Sequence, residues 1–215
     1  RSRGALLGLA VGMVMAVVTA PPKYRGKLMA LILVAALSVL YLADDQVMDR
    51  LSTIDSSTEE RDSSAQSRLD IWAGGVEMLF SNPLLGVGPG NFRTYIEIYQ
   101  PEHPDRDAHN TIIRCGGELG FIGLGSFIII LFSTLKLLLG TMRDARNLDT
   151  KEGKDILWLS YGTLLGGTGM LVYGMTGTLL YTEYLWWFIA FPVSLRRALD
   201  RELELPENIS VDRTA

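Results

Sequence analysis

Between Asp107 and Gly123 the chain reads D-A-H-N-T-I-I-R-C-G-G-E-L-G-F-I-G, a short polar approach followed at once by an apolar run. His109 ends the approach, and an imidazole, with an ordinary pKa near about 6.5, is the side chain best suited to exchanging protons near neutral pH. Arg114 and Glu118 follow inside the apolar run, four residues apart and so on one helix face, where each can neutralise the other. Ionisable groups are costly inside a bilayer, and this pair reads either as a self-satisfied ion pair or as groups with a function. Upstream, Gly86-x-Gly88-Pro89-Gly90 permits positive dihedrals and close backbone approach. Such a loop serves either as a plain connector or as a cradle that turns amides toward a phosphate.

The segments that must position these residues alternate sharply in polarity. Gly4 to Ala20 is apolar for about 17 residues, near the lower limit for a spanning helix, and Pro21-Pro22 stops it. Lys23, Arg25 and Lys27 follow without an acid, and Leu28 to Ala43 is the next apolar run. Thr111 to Leu139, Ile156 to Tyr173 and Leu179 to Leu195 complete the set. The expected fold is all-α, a polytopic membrane helix bundle of about five spans. A soluble helical hairpin is the competing reading of the first two runs. Residues 1–43 are expected to form two transmembrane helices, 44–110 a large, partly helical extracytoplasmic loop, 111–199 three more spans and 200–215 a polar cytoplasmic tail. The cations of the Pro21–Lys27 turn, of Arg143–Asp155 and of Arg196-Arg197 put those segments inside, and hence Arg3, Arg68 and His109 together outside. Within the loop, Ser52 to Ser67 reads as flexible. A helix then runs to about Phe80 with Leu69, Trp72, Val76, Leu79 and Phe80 at helical spacing, and Asn91 to Tyr99 reads as a shorter one. Gly116, Gly117, Gly120, Gly123 and Gly125 invite close packing of neighbours.

Composition agrees with segregation of this kind. Hydrophobic residues make up 48% of the chain and charged residues 20%, and the mean hydropathy is +0.21. Acids collect between Asp44 and Asp107, and no sustained basic face exists for a nucleic acid. The single cysteine, Cys115, excludes an internal disulfide and a cysteine-rich metal site, and its apolar setting suggests a buried, unreactive thiol.

His109-Asn110, nine intervening residues, then Gly120-Phe121-Ile122-Gly123 resembles the His-Asn…Gly-x-x-Gly signature of the O-antigen ligase and polymerase superfamily of bacterial membrane glycosyltransferases. Ser67-Arg68-Leu69-Asp70-Ile71-Trp72 with Ser81-Asn82-Pro83 through Asn91-Phe92 is similar to the family's extracytoplasmic loop, and Ser2-Arg3-Gly4 to its upstream Ser-Arg element. The resemblance reaches to about Leu139 and, because family members are longer, suggests a C-terminal portion. It implies a GT-C-like bundle in the bacterial inner membrane with its site on the periplasmic face, acting in lipopolysaccharide and polysaccharide biosynthesis. The reaction it implies moves a glycan from a polyprenyl diphosphate carrier, such as undecaprenyl diphosphate, to a hydroxyl of lipid A-core or of a growing glycan, with no metal or other cofactor. It makes His109 the base, Arg68 and Arg3 the diphosphate ligands, and Asn110, Arg114, Glu118, Gly88, Gly90 and Asn91 supporting residues.

The alternatives are simpler. Arg3 is then an interfacial anchor and Arg68 a solvated helix residue. Asp105 and Asp107 resemble an acidic pair holding a divalent metal, although two carboxylates alone make a poor cage. A non-catalytic subunit or transporter would use Arg114 and Glu118 to line a pathway. Ser-His-Asp hydrolysis lacks a nucleophile elbow.

Overall fold

A computed structural model of the protein describes residues 3–20, 22–41 and 58–204. Among these there are seven α-helices and no strand. They are α1 (Arg3–Thr19), α2 (Pro22–Tyr41), α3 (Thr58–Ser81), α4 (Phe92–Tyr99), α5 (Thr111–Ala145), α6 (Lys151–Gly174) and α7 (Glu183–Glu204). Two of them, α5 and α6, are long and apolar enough to cross a bilayer. Helix α1 holds a shorter apolar run, Leu6–Thr19. Helix α2 carries Lys23, Arg25 and Lys27 in its first turns, and α7 becomes charged from Arg196 onward, so each has a shorter apolar stretch than its full length. The expected runs from Gly4, Leu28 and Leu179 are thus helical over most of their length, while the lengths that qualify as spans are those of α5 and α6.

Helix α5 is the axis of the fold. At its first turns it packs against α3 and α4 around Ile71, Met78, Phe92, Ile96 and Ala108. Further along, Cys115 and Phe127 pack with Leu179, Leu180 and Leu185, and near the far end Leu138 and Met142 pack with Leu195. Burial of each such side chain stabilises by roughly 1.5–3 kcal/mol relative to exposure. At that far end Asp144 holds Arg196 at 2.6 Å, tying the close of α5 to α7. Thr150 caps α6 by accepting the Gly153 amide at 3.0 Å, so the connection between α5 and α6 is short.

Several boundaries differ from those the sequence suggests. Helix α3 begins at Thr58 rather than near Ser67, because Glu59, Glu60, Arg61, Ala65 and Gln66 are good helix formers that extend it upstream. Within the helix, the Gln66 side chain donates to Asp70 at 2.9 Å. Its buried face is also rotated from the expected stripe, since Ile71 and Met78 are buried while Leu69, Val76 and Phe80 are exposed. Gly74 and Gly75 explain the rotation. A Cβ on Gly75 would lie 2.5 Å from Ile113 and 3.0 Å from Phe92, so the glycine face is the only one that admits α4 and α5 this closely. Helix α7 continues through Glu204, which makes residues 200–204 helical rather than loose tail. The part of the expected flexible stretch before residue 58 and the tail beyond residue 204 lie outside the described residues.

One packing device has a clear sequence signal that periodicity alone does not flag. Gly4, Gly8 and Gly12 repeat every four residues along α1 and face α6, which runs antiparallel. A Cβ on Gly8 would stand 2.4 Å from the Gly169 carbonyl oxygen, and one on Gly169 would stand 2.9 Å from that of Gly8. In an apolar solvent helices gain little from hydrophobic burial, and small residues that let backbones touch supply the packing instead. Gly8→Ala is therefore expected to cost about 1–3 kcal/mol, seen as a lower thermal midpoint in detergent. Gly26→Ala, with nothing within 4 Å, is expected to leave the midpoint unchanged or raise it.

Candidate functional site

The site is built where α5 breaks. Gly120 has φ 64° and ψ −167°, a conformation outside the helical region and open in practice to glycine. The break removes the hydrogen bonds that the Phe121 and Ile122 amides would make to the carbonyls of Gly117 and Glu118. The loop after α3 replaces all of them. Val87 donates to Gly117 O at 3.0 Å and Gly88 to Glu118 O at 2.9 Å, while Phe121 donates to Pro83 O at 2.7 Å and Ile122 to Leu84 O at 3.4 Å. Residues 83–88 are thus spliced into the helix. Only glycine fits at two points of this splice, since a Cβ on Gly120 would lie 2.5 Å from the Leu84 carbonyl and one on Gly86, itself at φ 65°, would lie 2.4 Å from the Glu118 carbonyl carbon.

Two residues ahead of the break, Glu118 is fully buried. Its carboxylate accepts Arg114 Nε at 2.8 Å, the Phe92 amide at 3.0 Å, the Gly90 amide at 3.0 Å and the Tyr181 hydroxyl. Burying a carboxylate alone costs several kcal/mol, and each hydrogen bond to a charged group returns roughly 1.5–3 kcal/mol, so four donors are enough to hold it in place. Arg114 also stacks over the Tyr181 ring at 5.2 Å and donates to Asp107 at 3.1 Å. Burial first, then the hydrogen bond to Glu118 and its charge, push the Tyr181 phenol up to about 12, so it remains a donor at any physiological pH. The amides of Val87, Gly88, Gly90 and Phe92 are therefore bound to α5 or to Glu118, and the glycine loop docks onto protein instead of presenting those amides to a phosphate.

Above the splice, the segment leading into α5 is clamped on both sides of His109. Asp107 Oδ1 accepts the Ala108 amide at 2.9 Å as well as Arg114, and its Oδ2 accepts the Thr178 hydroxyl at 2.7 Å. The Ala108 carbonyl accepts the Trp72 indole N–H at 2.7 Å. On the other side, buried Asn110 caps α5, accepting the amides of Ile112 at 2.9 Å and Ile113 at 3.2 Å. Between these anchors His109 adopts φ 45°, in the left-handed region that costs a non-glycine residue of order 1–3 kcal/mol, and its imidazole is exposed, with no partner among the described residues.

The other residues singled out by sequence fall around this end of the bundle. Arg68 is exposed on α3, one turn before Trp72, whose indole binds the Ala108 carbonyl. Arg3 opens α1 beside Gly4, where a Cβ would lie 1.9 Å from Thr176 Oγ1, so the start of α1 abuts the turn that holds Asp107. Asn91 precedes α4, and its side chain donates to Val87 O at 3.0 Å. The acidic pair does not converge, because Asp105 binds Arg93 at 2.9 Å on the surface while Asp107 is committed to Arg114 and Thr178. Arg114 and Glu118, the pair that the alternative reading would put along a pathway, are engaged with each other and with Asp107 and Tyr181. His103 stands 3.4 Å from Asp70. Four contributors were not among the expected site residues: Trp72, which stood only in a family-like block and an apolar stripe, and Asp107, Thr178 and Tyr181. Asp107 was visible only as half of a metal-like pair, and the two α7-proximal residues lie more than 60 positions from their partners.

The described residues form an all-helical protein in which two helices are long and apolar enough to cross a bilayer and a polar site is folded into the break of one of them. The chain belongs to the O-antigen ligase family, whose model matches residues 1–128 of its 215. That membership gives it a ligase- or polymerase-type glycosyl-transfer role in cell-surface polysaccharide synthesis. No curated protein matches the chain.

If the splice organises the site, Gly120→Ala loses it. The substitution is expected to cost upwards of about 3 kcal/mol, because strain and a backbone clash add, and to expose residues 83–92 to protease. Gly125→Ala, with nothing within 4 Å, serves as the control and is expected to behave as wild type.

Proposed function

We propose that this protein transfers a glycan from a polyprenyl diphosphate carrier to an acceptor hydroxyl at the outer face of the bacterial inner membrane, without a metal. His109 is the general base and Arg68 and Arg3 hold the diphosphate. The observation that carries the reading is the backbone at His109, strained yet locked from both sides, with an exposed and unpartnered imidazole at the end of the bundle that also holds Arg68 and the start of α1.

The chemistry follows from those groups. His109 takes the proton of the acceptor hydroxyl as its oxygen attacks the anomeric carbon. The bond from that carbon to the diphosphate oxygen breaks, and its electron pair leaves with the polyprenyl diphosphate. Guanidinium groups suit the leaving diphosphate because their planar fork binds phosphate oxygens in pairs and keeps its charge. Asn110, Arg114, Glu118, Gly88, Gly90 and Asn91 act by holding the base and the loop rather than by touching the reacting atoms.

Dimensions support a site just outside the hydrocarbon. Helix α5 has 35 residues, and at ~1.5 Å per residue it exceeds the ~30 Å apolar core by far. Its exposed large apolar side chains begin at Phe121, immediately after the break, and continue to Leu139, a rise of ~27 Å that matches the core. Glu118, Arg114 and His109 then lie on the outer side of that boundary, where their polar partners are found. The remaining apolar helices join α5 and α6 in a multi-pass bundle.

His109→Ala is expected to lower transfer from a purified lipid-linked donor by about 10²- to 10⁴-fold while donor binding persists. Arg68→Lys is expected to lose about tenfold or more, since charge remains but the fork does not, and EDTA is expected to leave the wild-type rate intact. Retained transfer in His109→Ala removes the base from the mechanism. Supplying lipid A-core and a lipid-linked glycan as separate acceptors distinguishes ligase from polymerase.

The orientation has its own test. A cysteine at Pro101 is expected to react with an impermeant thiol reagent from outside, and one at Lys151 only after the cytoplasmic side is opened. The reverse pattern overturns the placement of the site.

A further inference from the structure

The family match ends at residue 128, yet the site is completed by residues well beyond it. The α6–α7 turn crosses the mouth of α5 and is fastened there by four side-chain hydrogen bonds. Thr111 Oγ1 donates to Gly177 O at 3.2 Å and accepts the Leu179 amide at 3.0 Å. Thr178 donates to Asp107 at 2.7 Å, and Tyr181 donates to Glu118. The first two bonds join the turn to the start of the helix. The second two do something different, because each ends on a carboxylate that already organises the site.

Consider what each carboxylate holds. Asp107 fixes the Ala108 amide, and the Ala108 carbonyl in turn is fixed by Trp72, so Asp107 and Trp72 together set the peptide unit that enters His109. Thr178 takes the Asp107 oxygen that faces away from Ala108 and stops the carboxylate from rotating out of that arrangement. Glu118 fixes the Gly90 and Phe92 amides, which set the loop spliced into α5, and Tyr181 takes the same oxygen that Gly90 uses. Arg114 bridges the two carboxylates beneath the Tyr181 ring.

We propose that the α6–α7 turn is a part of the reaction's machinery, in which Thr178 and Tyr181 are positioning residues: Thr178 holds His109 in register through Asp107, and Tyr181 holds the glycine loop through Glu118. This rests on the reading of His109 as the base. A base displaced by a fraction of an ångström loses rate without losing the substrate, and misplacement of about 1 Å is enough for about a hundredfold effect.

Thr178→Val keeps the shape and removes the hydroxyl. In the intact protein reconstituted with a purified lipid-linked donor, it is expected to lower kcat by about ten- to a hundredfold with KM for the donor unchanged, and Thr178→Ser is expected to restore the rate. In single-turnover transfer the Thr178→Val change is expected to cost nothing further in a His109→Ala background, since it acts through that side chain. Tyr181→Phe, at a half-exposed ring, is the second variant should Thr178→Val fail to fold, and it too is expected to lower kcat. Normal kcat in the folded variants, failure of Thr178→Ser to restore the rate, or a loss that adds to His109→Ala overturns the proposal while leaving His109 as the base. A normal rate in His109→Ala itself overturns the base reading, and the positioning role falls with it.

Discussion

A carboxylate buried at the side of a helix must be satisfied by the protein around it, and most of the site in this molecule follows from how Glu118 meets that requirement. Its own helix supplies one donor, Arg114. The others come from the amides of Gly90 and Phe92 and from Tyr181. Removing one partner of a buried ion pair of this kind typically costs about 3–5 kcal/mol, a large part of the roughly 5–15 kcal/mol by which domains are stable. The glycine loop, the start of α4 and the α6–α7 turn are therefore not independently placed. Each must arrive at α5 for the carboxylate to be tolerated.

The break at Gly120 is the backbone counterpart of the same requirement. A helix interrupted within an apolar setting leaves amides and carbonyls that water cannot reach, and each orphan costs several kcal/mol. Inserting residues 83–88 gives each of the two orphaned carbonyls and two orphaned amides a new partner, so the helix direction can change without a net loss of hydrogen bonding. Glycine is required on both sides of the splice for steric reasons, at Gly120 and at Gly86. The close crossing of α1 on α6 uses glycine differently, at helical dihedrals, to bring two regular backbones into contact.

Rigidity and strain meet at His109. The residues before and after it are buried and hydrogen-bonded, and between them it is turned out in a left-handed conformation. Strain of this kind persists where neighbours over-determine the backbone, and it leaves an imidazole preorganised toward solvent rather than folded back onto the protein. Asp107 changes meaning in the same light. Beside Asp105 in the sequence it looks like half of a metal pair, but Arg114 and Thr178 make it an orienting group for the segment that carries the histidine.

The sequence by itself determined the class of the molecule and the identity of its central motif. Residue type and polarity were enough for an all-α fold and for the Arg114–Glu118 pair, because a helix brings residues four apart together whatever surrounds it. The resemblance to the family rested in part on His109, Asn110, Gly120 and Gly123, which lie within the residues that the family model matches, and Asn110 caps α5. What the local pattern could not carry was everything that depends on contacts between distant segments. The inward face of α3 was decided by Gly74 and Gly75 meeting Phe92 and Ile113, against the apolar stripe that the spacing suggested. The glycine loop's amides were decided by orphan carbonyls that exist only because α5 breaks. Thr178 and Tyr181 entered the site solely through the tertiary structure, since hydrogen bonds spanning more than 60 residues leave no trace in periodicity or spacing.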